Sequence, residues 1–354
     1  MIISRTPFRI SFFGGGTDYP VWFEKYGGAV LGTTIDKYCY ITCRYLPEFF
    51  EHKHRIVYSQ IENVRDIDEI NHPAVRETLK FMDIKEGLEI HHDGDLPART
   101  GLGSSSAFTV GLVHALYGLK GIMPSKMQLA KDAIHIEQEM IKESVGCQDQ
   151  VLVAFGGLKR VDFNHGNSID IRPIMMRAER YEALQDHLML FFTGFSRIAS
   201  TVASVQIKET PNRIQELTQM QLMVCEAIKI LNSETDLLDF GRLLNESWQL
   251  KRRLTNKITT PQIDEIYKTA MKAGAVGGKL LGAGGGGFIL IFVSPELRAR
   301  MKESLHGLLH VPFRFESAGS QIIFYEPDGA HRNSNNMMQG TMNYGSFHEQ
   351  KKNS

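Results

Sequence analysis

The sequence predicts a protein of mixed helices and strands, α/β or α+β, in two domains, and three observations point there. Up to about residue 95 the chain is strand-rich, from Ser104 its apolar residues recur at helical period, and near residue 180 a new apolar strand opens a second series of long amphipathic helices. With 354 residues, 42% of them hydrophobic, the chain is long enough for two domains or one large one and has ample apolar content for a core.

Taken in order, Ile2 to Phe13 reads as a strand, and Val30 to Tyr45 alternates β-branched and aromatic residues with polar ones. Shorter runs recur at Arg55 to Tyr58 and Leu88 to His92. Helical spacing holds from Ser104 through Tyr117 and again over Met127 to Ile141; Gly156-Gly157 then interrupts the chain before a strand at Leu158 to Phe163. In the second half Leu188 to Thr193 reads as strand, and helices are expected around Gln206 to Leu231, Asp236 to Arg253 and Pro261 to Lys272. The glycine-rich stretch Gly274 to Gly287 leads into a strand, Phe288 to Val293. A helix over Pro295 to Leu309 and two short strands, Phe313 to Glu316 and Gln321 to Tyr325, are expected to complete a small α/β sandwich. Beyond Asp328 the chain is rich in Asn, Ser, Gly, Gln and Met without apolar periodicity, and residues 329–354 read as a disordered tail.

Composition narrows the function. Lysine plus arginine and aspartate plus glutamate each number 40, so no global field draws nucleic acid or a membrane, and any anion site must be local. The four cysteines show neither Cys-x-x-Cys spacing nor zinc-like intervals to histidine; free thiols and a cytoplasmic location follow as expectations. The N-terminus lacks the layout of a signal peptide, and no run approaches the roughly 20 apolar residues of a membrane span. His52 with His54, and His91 with His92, have no acid or thiol at ligand spacing and carry little weight as metal sites.

The most informative stretch is Asp95-Leu-Pro-Ala-Arg-Thr-Gly-Leu-Gly-Ser-Ser-Ser-Ala-Phe108, a glycine loop and three hydroxyls directly before an apolar helix. Gly101 and Gly103 allow positive φ and close approach, and Ser104 to Ser106 stand where the first helical N–H groups lack partners, so an anion fits. An ordinary capped helix start uses the same residue types. No Gly-x-x-x-x-Gly-Lys-Ser/Thr occurs, and the one Gly-x-Gly-x-x-Gly match, Gly282 to Gly287, follows a helix and precedes a strand, the wrong order for a dinucleotide fold. Within the helix from Met127 the inward stripe runs Met127, Ala130, Ile134, Glu137, Ile141. A carboxylate there needs a cation, either a salt-bridge partner or a metal ion. Twelve residues on, Asp149 follows a glycine turn and reads as a helix cap or a base, and the N-terminal strand contributes Arg9 and then the turn Gly14-Gly-Gly-Thr-Asp18.

Three glycine-centred segments in this order, Gly14-Gly-Gly-Thr-Asp-Tyr, Pro97-Ala-Arg-Thr-Gly-Leu-Gly-Ser-Ser-Ser-Ala and Lys279-Leu-Leu-Gly-Ala-Gly-Gly-Gly-Gly, resemble the three motifs of the GHMP small-molecule kinases. The likeness spans about residues 1–328. It implies a two-domain fold, with a ribosomal-protein-S5-like N-terminal domain over residues 1–180 and a ferredoxin-like sandwich over 181–328. Within the family, Phe-Arg-Ile-Ser-Phe-Phe-Gly-Gly-Gly-Thr-Asp-Tyr-Pro is most similar to sugar kinases that phosphorylate an anomeric hydroxyl, those acting on heptose 7-phosphate and the fucokinases among them. Galactokinase and mevalonate kinase carry Gly-Glu-His where this chain has Gly-Gly-Thr-Asp, which leaves the sugar open.

By that resemblance the partners are ATP with Mg2+ and a small sugar phosphate, with a homo-oligomer allowed and no nucleic acid or membrane. ATP would be held by Pro97, Gly101, Leu102, Gly103, Ser104, Ser105 and Ser106, with Gly284 and Gly285 closing over from the second domain. Ser105 and Glu137 would hold magnesium, with Gln138 the alternative at the aligned place. Asp149 would orient or deprotonate the attacking hydroxyl, with Arg9 beside it keeping it ionised. Gly16, Thr17 and Asp18 would bind the sugar. For a substrate phosphate the candidate cations are Arg99, Lys159, Arg160, Arg197, Lys251, Arg252 and Lys279, each of which reads from sequence as a solvated surface charge. Two other readings stay open: a kinase of an unphosphorylated sugar such as fucose, and a silent nucleotide or sugar sensor on the same fold. The presence of Asp149, Glu137 and Ser105 favours an enzyme.

Overall fold

In the computed structural model, which describes residues 1–98, 100–194 and 199–326, the chain builds two sheets. The first begins with β1 (Ile2–Phe13), whose burial alternates at its start and becomes continuous from Thr6, as in a strand covered on both faces. It pairs antiparallel with β2 (Gly28–Tyr45), and β3 (His54–Val57), β4 (Ile61–Val64) and β5 (Leu88–Gly94) extend the sheet from β2. The hairpin of β6 (Lys159–Asn164) and β7 (Ser168–Pro173) also pairs with β2, at its N-terminal half.

The helices of this half are α1 (Pro20–Tyr26), α2 (Pro73–Phe81), α3 (Ser104–Leu119), α4 (Lys126–His135) and α5 (Gln148–Phe155). Helix α3 is apolar on nearly all sides and lies buried between β1, β2, α4 and α5. That burial fixes its N-terminus, and with it the glycine loop.

The second sheet contains β8 (Leu188–Phe192), β9 (Ala275–Leu280), β10 (Phe288–Val293) and β11 (Leu309–Val311), all antiparallel in the order β11-β8-β10-β9. Strand 1 flanked by 4 and 3, with 2 at the edge, is the ferredoxin-like order that the resemblance implied. The remaining helices are α6 (Ala178–Asp186), α7 (Ala199–Glu209), α8 (Ile214–Leu231), α9 (Leu238–Leu254), α10 (Pro261–Lys272) and α11 (Arg298–Ser304). No described helix is long and apolar enough to cross a membrane. The four cysteines are free thiols, with only Cys225 exposed.

Four expectations need correction. The helix expected over Gln206 to Leu231 is two helices, divided by a 3-10 turn at Thr210–Asn212, because Pro211 has no N–H to continue the ladder. The helix expected over Pro295 to Leu309 is a 3-10 turn, Pro295–Leu297, and the short α11, after which the chain returns as β11. Part of the glycine-rich stretch is itself a strand, β9. The last two short strands, β12 (Phe315–Glu316) and β13 (Gln321–Tyr325), do not join the second sandwich; β12 pairs with β2 and β13 with the free edge of β1. Short runs pair with whichever open edge lies within reach, and that is a non-local fact. Residues 329–354, expected to be a tail, lie outside the described residues.

The two halves meet through aromatic packing. Phe240 of α9 stands edge-on to Phe12 and Phe13 at the end of β1, with ring centroids 5.6 and 5.2 Å apart. Such pairs contribute about 0.5–1.5 kcal/mol each beyond the area they bury.

Candidate active site

Arg9 sits mid-way along β1 with 4% of its side chain exposed, and its guanidinium ties three elements together. Nε donates to Asp149 Oδ1 at 2.7 Å and Nη2 to Asp149 Oδ2 at 2.6 Å, a bidentate pair, while Nη1 donates to the Gly101 carbonyl at 2.6 Å. Asp149 stands in the first turn of α5 without capping it, because both carboxylate oxygens are committed to Arg9. Its side chain keeps 26% exposure and lines a cavity between the two halves.

The glycine loop forms another wall. Gly101 (φ +85°) and Gly103 (φ +73°) are left-handed, and no side chain caps the first turn of α3. Their missing side chains, however, make room for protein. A Cβ on Gly101 would lie 2.5 Å from the Leu281 carbonyl oxygen, and one on Gly103 would lie 3.0 Å from Arg9 Cγ. The third glycine segment therefore abuts the loop backbone to backbone, reinforced by the Phe288 N–H donating to the Thr100 carbonyl at 3.1 Å.

Beneath the loop, Glu137 is fully buried in a π-helical turn, Ile136–Met140, which interrupts the end of α4. Its Oε2 accepts from Ser106 Oγ at 3.0 Å and from Gln150 Nε2 at 2.6 Å, while Oε1 has no partner among the described residues. Burial pushes the carboxyl up to about 7; the polar groups of Thr109, Gln150 and Ser106 around it oppose the rise, and the Glu143 charge adds to it. Gln138 instead donates to the Val145 carbonyl at 2.9 Å, so the inward acid is Glu137. The hydroxyl on Glu137 is that of Ser106, whereas Ser105 is exposed and lines the cavity with Ser104.

On the opposite wall Asp18 is 2% exposed, and its carboxylate accepts from the Gly16 N–H at 2.9 Å and the Gln148 N–H at 3.3 Å. Burial raises its pKa, the Asp149 charge adds to the rise, and those two N–H groups oppose it. Gly16 and Asp18 line the cavity, but Thr17 does not. Its hydroxyl shares its one proton between the carbonyls of Gly14 and Ala29 and accepts from the Ala29 N–H, which closes the turn. Two residues missed from the sequence line this wall: Ser11 Oγ and Gln148 Oε1 are buried there without a partner among the described residues. Ser11 is two residues from Arg9 and so on the same strand face, and Gln148 precedes Asp149. Those spacings were the available signal.

Other expected residues fall elsewhere. Pro97 and Leu102 do not line the cavity; the Pro97 carbonyl accepts from Thr100 Oγ1 at 2.8 Å, and that of Leu102 from the Arg9 N–H at 2.9 Å. Gly284 and Gly285 pack on Ile258, whose carbonyl accepts from the Gly285 N–H at 2.9 Å, and the segment reaches the cavity through Gly282 and Ala283. Lys251 and Lys279, read from sequence as solvated surface charges, are 7% and 3% exposed and line the cavity. Arg160 pairs with Asp162 and Arg252 with Asp264, and neither they nor Lys159 line it. Arg99 and Arg197 lie outside the described residues.

The chain has counterparts among known proteins. The GHMP kinase N-terminal domain matches residues 70–157, which hold the glycine loop, Glu137 and Asp149, and the GHMP kinase C-terminal domain matches residues 227–309, which hold Lys251, Lys279 and the third glycine segment. The chain is 26% identical over 315 residues to D-glycero-alpha-D-manno-heptose 7-phosphate kinase of Campylobacter jejuni, covering 86% of this chain and 93% of that one. It is also 26% identical over 329 residues to the bifunctional fucokinase/GDP-fucose pyrophosphorylase of Arabidopsis thaliana, covering 84% of this chain and 31% of that one. Among solved structures, a D-glycero-D-manno-heptose 1-phosphate kinase from Bacteroides thetaiotaomicron superposes with a TM-score of 0.75 at 21% identity, covering 92% of this chain and all of that one, a likeness of fold. With both domain signatures in order on one two-domain fold, and the three glycine segments gathered at one cavity, the chain belongs to the GHMP kinases.

Proposed function

We propose that the protein is an ATP-dependent kinase of D-glycero-D-manno-heptose 7-phosphate, phosphorylating its anomeric C1 hydroxyl to the 1,7-bisphosphate on the way to a nucleotide-activated heptose, in the cytoplasm. The observation that carries the catalytic part is the Arg9–Asp149 pair facing the same cavity as the uncapped N-terminus of α3. The sugar is supported by the heptose 7-phosphate kinase relative.

Asp149 orients the C1 hydroxyl and takes its proton. Arg9 occupies one side of the carboxylate and fixes its plane, so the lone pairs away from the guanidinium meet the hydroxyl. An anomeric hydroxyl is more acidic than an ordinary alcohol, so a carboxylate is an adequate base for it. The C1 oxygen forms a bond to the γ-phosphorus of ATP, the second substrate, as the bond from that phosphorus to the β,γ-bridging oxygen breaks and ADP leaves with the electron pair. Ser104, Ser105 and Ser106 with the first turn of α3 receive the phosphates, and Gly282 and Ala283 close the loop from the other half. Gly16, Asp18, Ser11 and Gln148 face the sugar hydroxyls.

Glu137 fits a magnesium site. A fully buried carboxylate with one oxygen unpartnered among the described residues, raised to about 7 by burial, is the environment that a divalent cation relieves; Ser106 supplies a neutral oxygen against it, and Ser105, the neighbour of Ser106 in the chain, offers another from the cavity. Magnesium bound there with the nucleotide would neutralise phosphate charge.

The test is an ADP-release assay with ATP and magnesium on D-glycero-D-manno-heptose 7-phosphate, mannose, fucose, galactose, homoserine and mevalonate, with NMR of any product. Turnover of the heptose phosphate far above that of the other five compounds, with a new phosphate at C1, is the expected result. Equal turnover of fucose or galactose refutes the substrate, and silence on every sugar refutes the kinase.

A further inference from the structure

Two lysine side chains line the cavity with no ion-pair partner among the described residues. Lys251 of α9 donates to the carbonyls of Leu280 at 3.0 Å and Gly282 at 2.6 Å, and Lys279 of β9 donates to the Phe12 carbonyl at 2.7 Å. No carboxylate among the described residues pairs with either. The carboxylates that share the cavity are otherwise engaged or placed: Asp149 with Arg9, Asp18 with two backbone N–H groups, and Glu143 in the segment after the π turn. Burying two lysines on carbonyl oxygens alone is costly, and a methionine of like volume would not carry that cost. Burial lowers both pKa values, Lys251 to about 7, and the Arg9 charge lowers them further, as does Lys251 for Lys279; Asp18 acts on Lys251 in the opposite sense. The cavity is therefore built to receive negative charge.

The anchors say where that charge sits. Lys251 hangs on Gly282, whose backbone touches Gly101 of the phosphate loop, and Lys279 hangs on Phe12, three residues along β1 from Arg9. Loop, lysines and the Arg9–Asp149 pair thus line one cavity. Resting on the kinase reading above, we propose that Lys251 and Lys279 are catalytic residues that bind the phosphoryl group in transit. The second half of the chain thereby supplies the neutralising cations to a site whose base and phosphate loop come from the first. As the acceptor oxygen bonds to phosphorus and ADP departs, the charge spread over the three equatorial oxygens falls on these ammonium groups.

The experiment combines calorimetric binding of ADP and of β,γ-imido-ATP with steady-state kinetics on heptose 7-phosphate and on the same heptose without its phosphate, for wild type, Lys251→Met and Lys279→Met. The expected result is ADP affinity within about twofold of wild type, imido-ATP affinity down about tenfold, and kcat down about 100- to 1000-fold on both acceptors at unchanged acceptor KM. A rise in KM confined to the phosphorylated acceptor, with imido-ATP affinity intact, overturns the proposal and makes the lysines the seat of the acceptor's own phosphate. Unchanged affinity and kcat overturn it as well. Should a methionine variant lose ADP binding, Lys251→Gln and Lys279→Gln keep a donor to the carbonyls without the charge; loss of ADP binding in these too would make the lysines structural and refute the proposal. A wild type inert toward every sugar refutes the kinase reading alone, since the comparison of ADP with imido-ATP still decides the role of the lysines.

Discussion

Glu137→Gln should make the ligand-free protein more stable while weakening its use of magnesium. The carboxyl is fully buried, and burial lifts its pKa from the ordinary 4.5 to about 7 against the pull of Thr109, Gln150 and Ser106. A group whose folded pKa is raised binds more protons folded than unfolded between those two values, so its cost is absent below about 4.5, grows as the pH rises and is complete above about 7. At 1.36 kcal/mol per pKa unit the full cost is about 3 kcal/mol. Glutamine keeps an acceptor for Ser106 and Gln150, and the partnerless Gln150 amide oxygen can serve the new amide group. Urea unfolding of both proteins without nucleotide, from pH 4 to 8, should give curves that meet near pH 4.5 and part by about 3 kcal/mol above pH 7. With Mg·ADP added at pH 8, wild type should gain more stability than the variant. A gap independent of pH, or a glutamine variant less stable at pH 8, would refute the account of this carboxylate.

Three further substitutions follow from the same geometry. Asp149→Asn should lower kcat by about 100- to 10,000-fold with ADP affinity retained, and lower the Tm because buried Arg9 loses its charged partner; steady-state kinetics, calorimetry and melting curves read these out. Gly101→Ala combines about 1–2 kcal/mol of left-handed strain with a clash at 2.5 Å against the Leu281 carbonyl, so the third glycine segment should be displaced and the KM for ATP should rise, as measured by initial rates. Lys251→Met should raise the Tm of the ligand-free protein, because the folded protein resists protonating this lysine; the gain should be greatest below about pH 7 and shrink as the pH climbs toward 10.5, in melts taken across that range.

How much of this was legible beforehand differs by element. Strands β1, β2, β8 and β10 and helices α3, α9 and α10 stand close to where their periodicity puts them, because each buries a face long enough to impose a period on the residues. Pro211, which divides the long helix, stands in the sequence as a break that apolar spacing alone passes over. Of the site, Glu137 points inward as its place in an apolar stripe requires. Thr17 carries a polar side chain in the right turn but uses it on the turn itself, and Gly284 and Gly285 have the right composition but face Ile258. Residue type and spacing cannot separate a hydroxyl that closes a turn from one that meets a ligand, since both sit in the same local sequence.

By itself the sequence determined the class of fold, the order of the three glycine segments, and the candidates for base, cation and buried acid, because these depend on local periodicity, on φ preference and on chemical type. Tertiary structure alone decided the partnerships. It sent β12 and β13 back to the first sheet, set Ser106 rather than Ser105 on Glu137, and brought Lys251 and Lys279 out of solvent into the cavity. A lysine near the end of an amphipathic helix looks the same in sequence whether water or a closed cavity meets its ammonium group. Only the packing of α9 and β9 against β1, residues more than 200 positions away, settles which one it is.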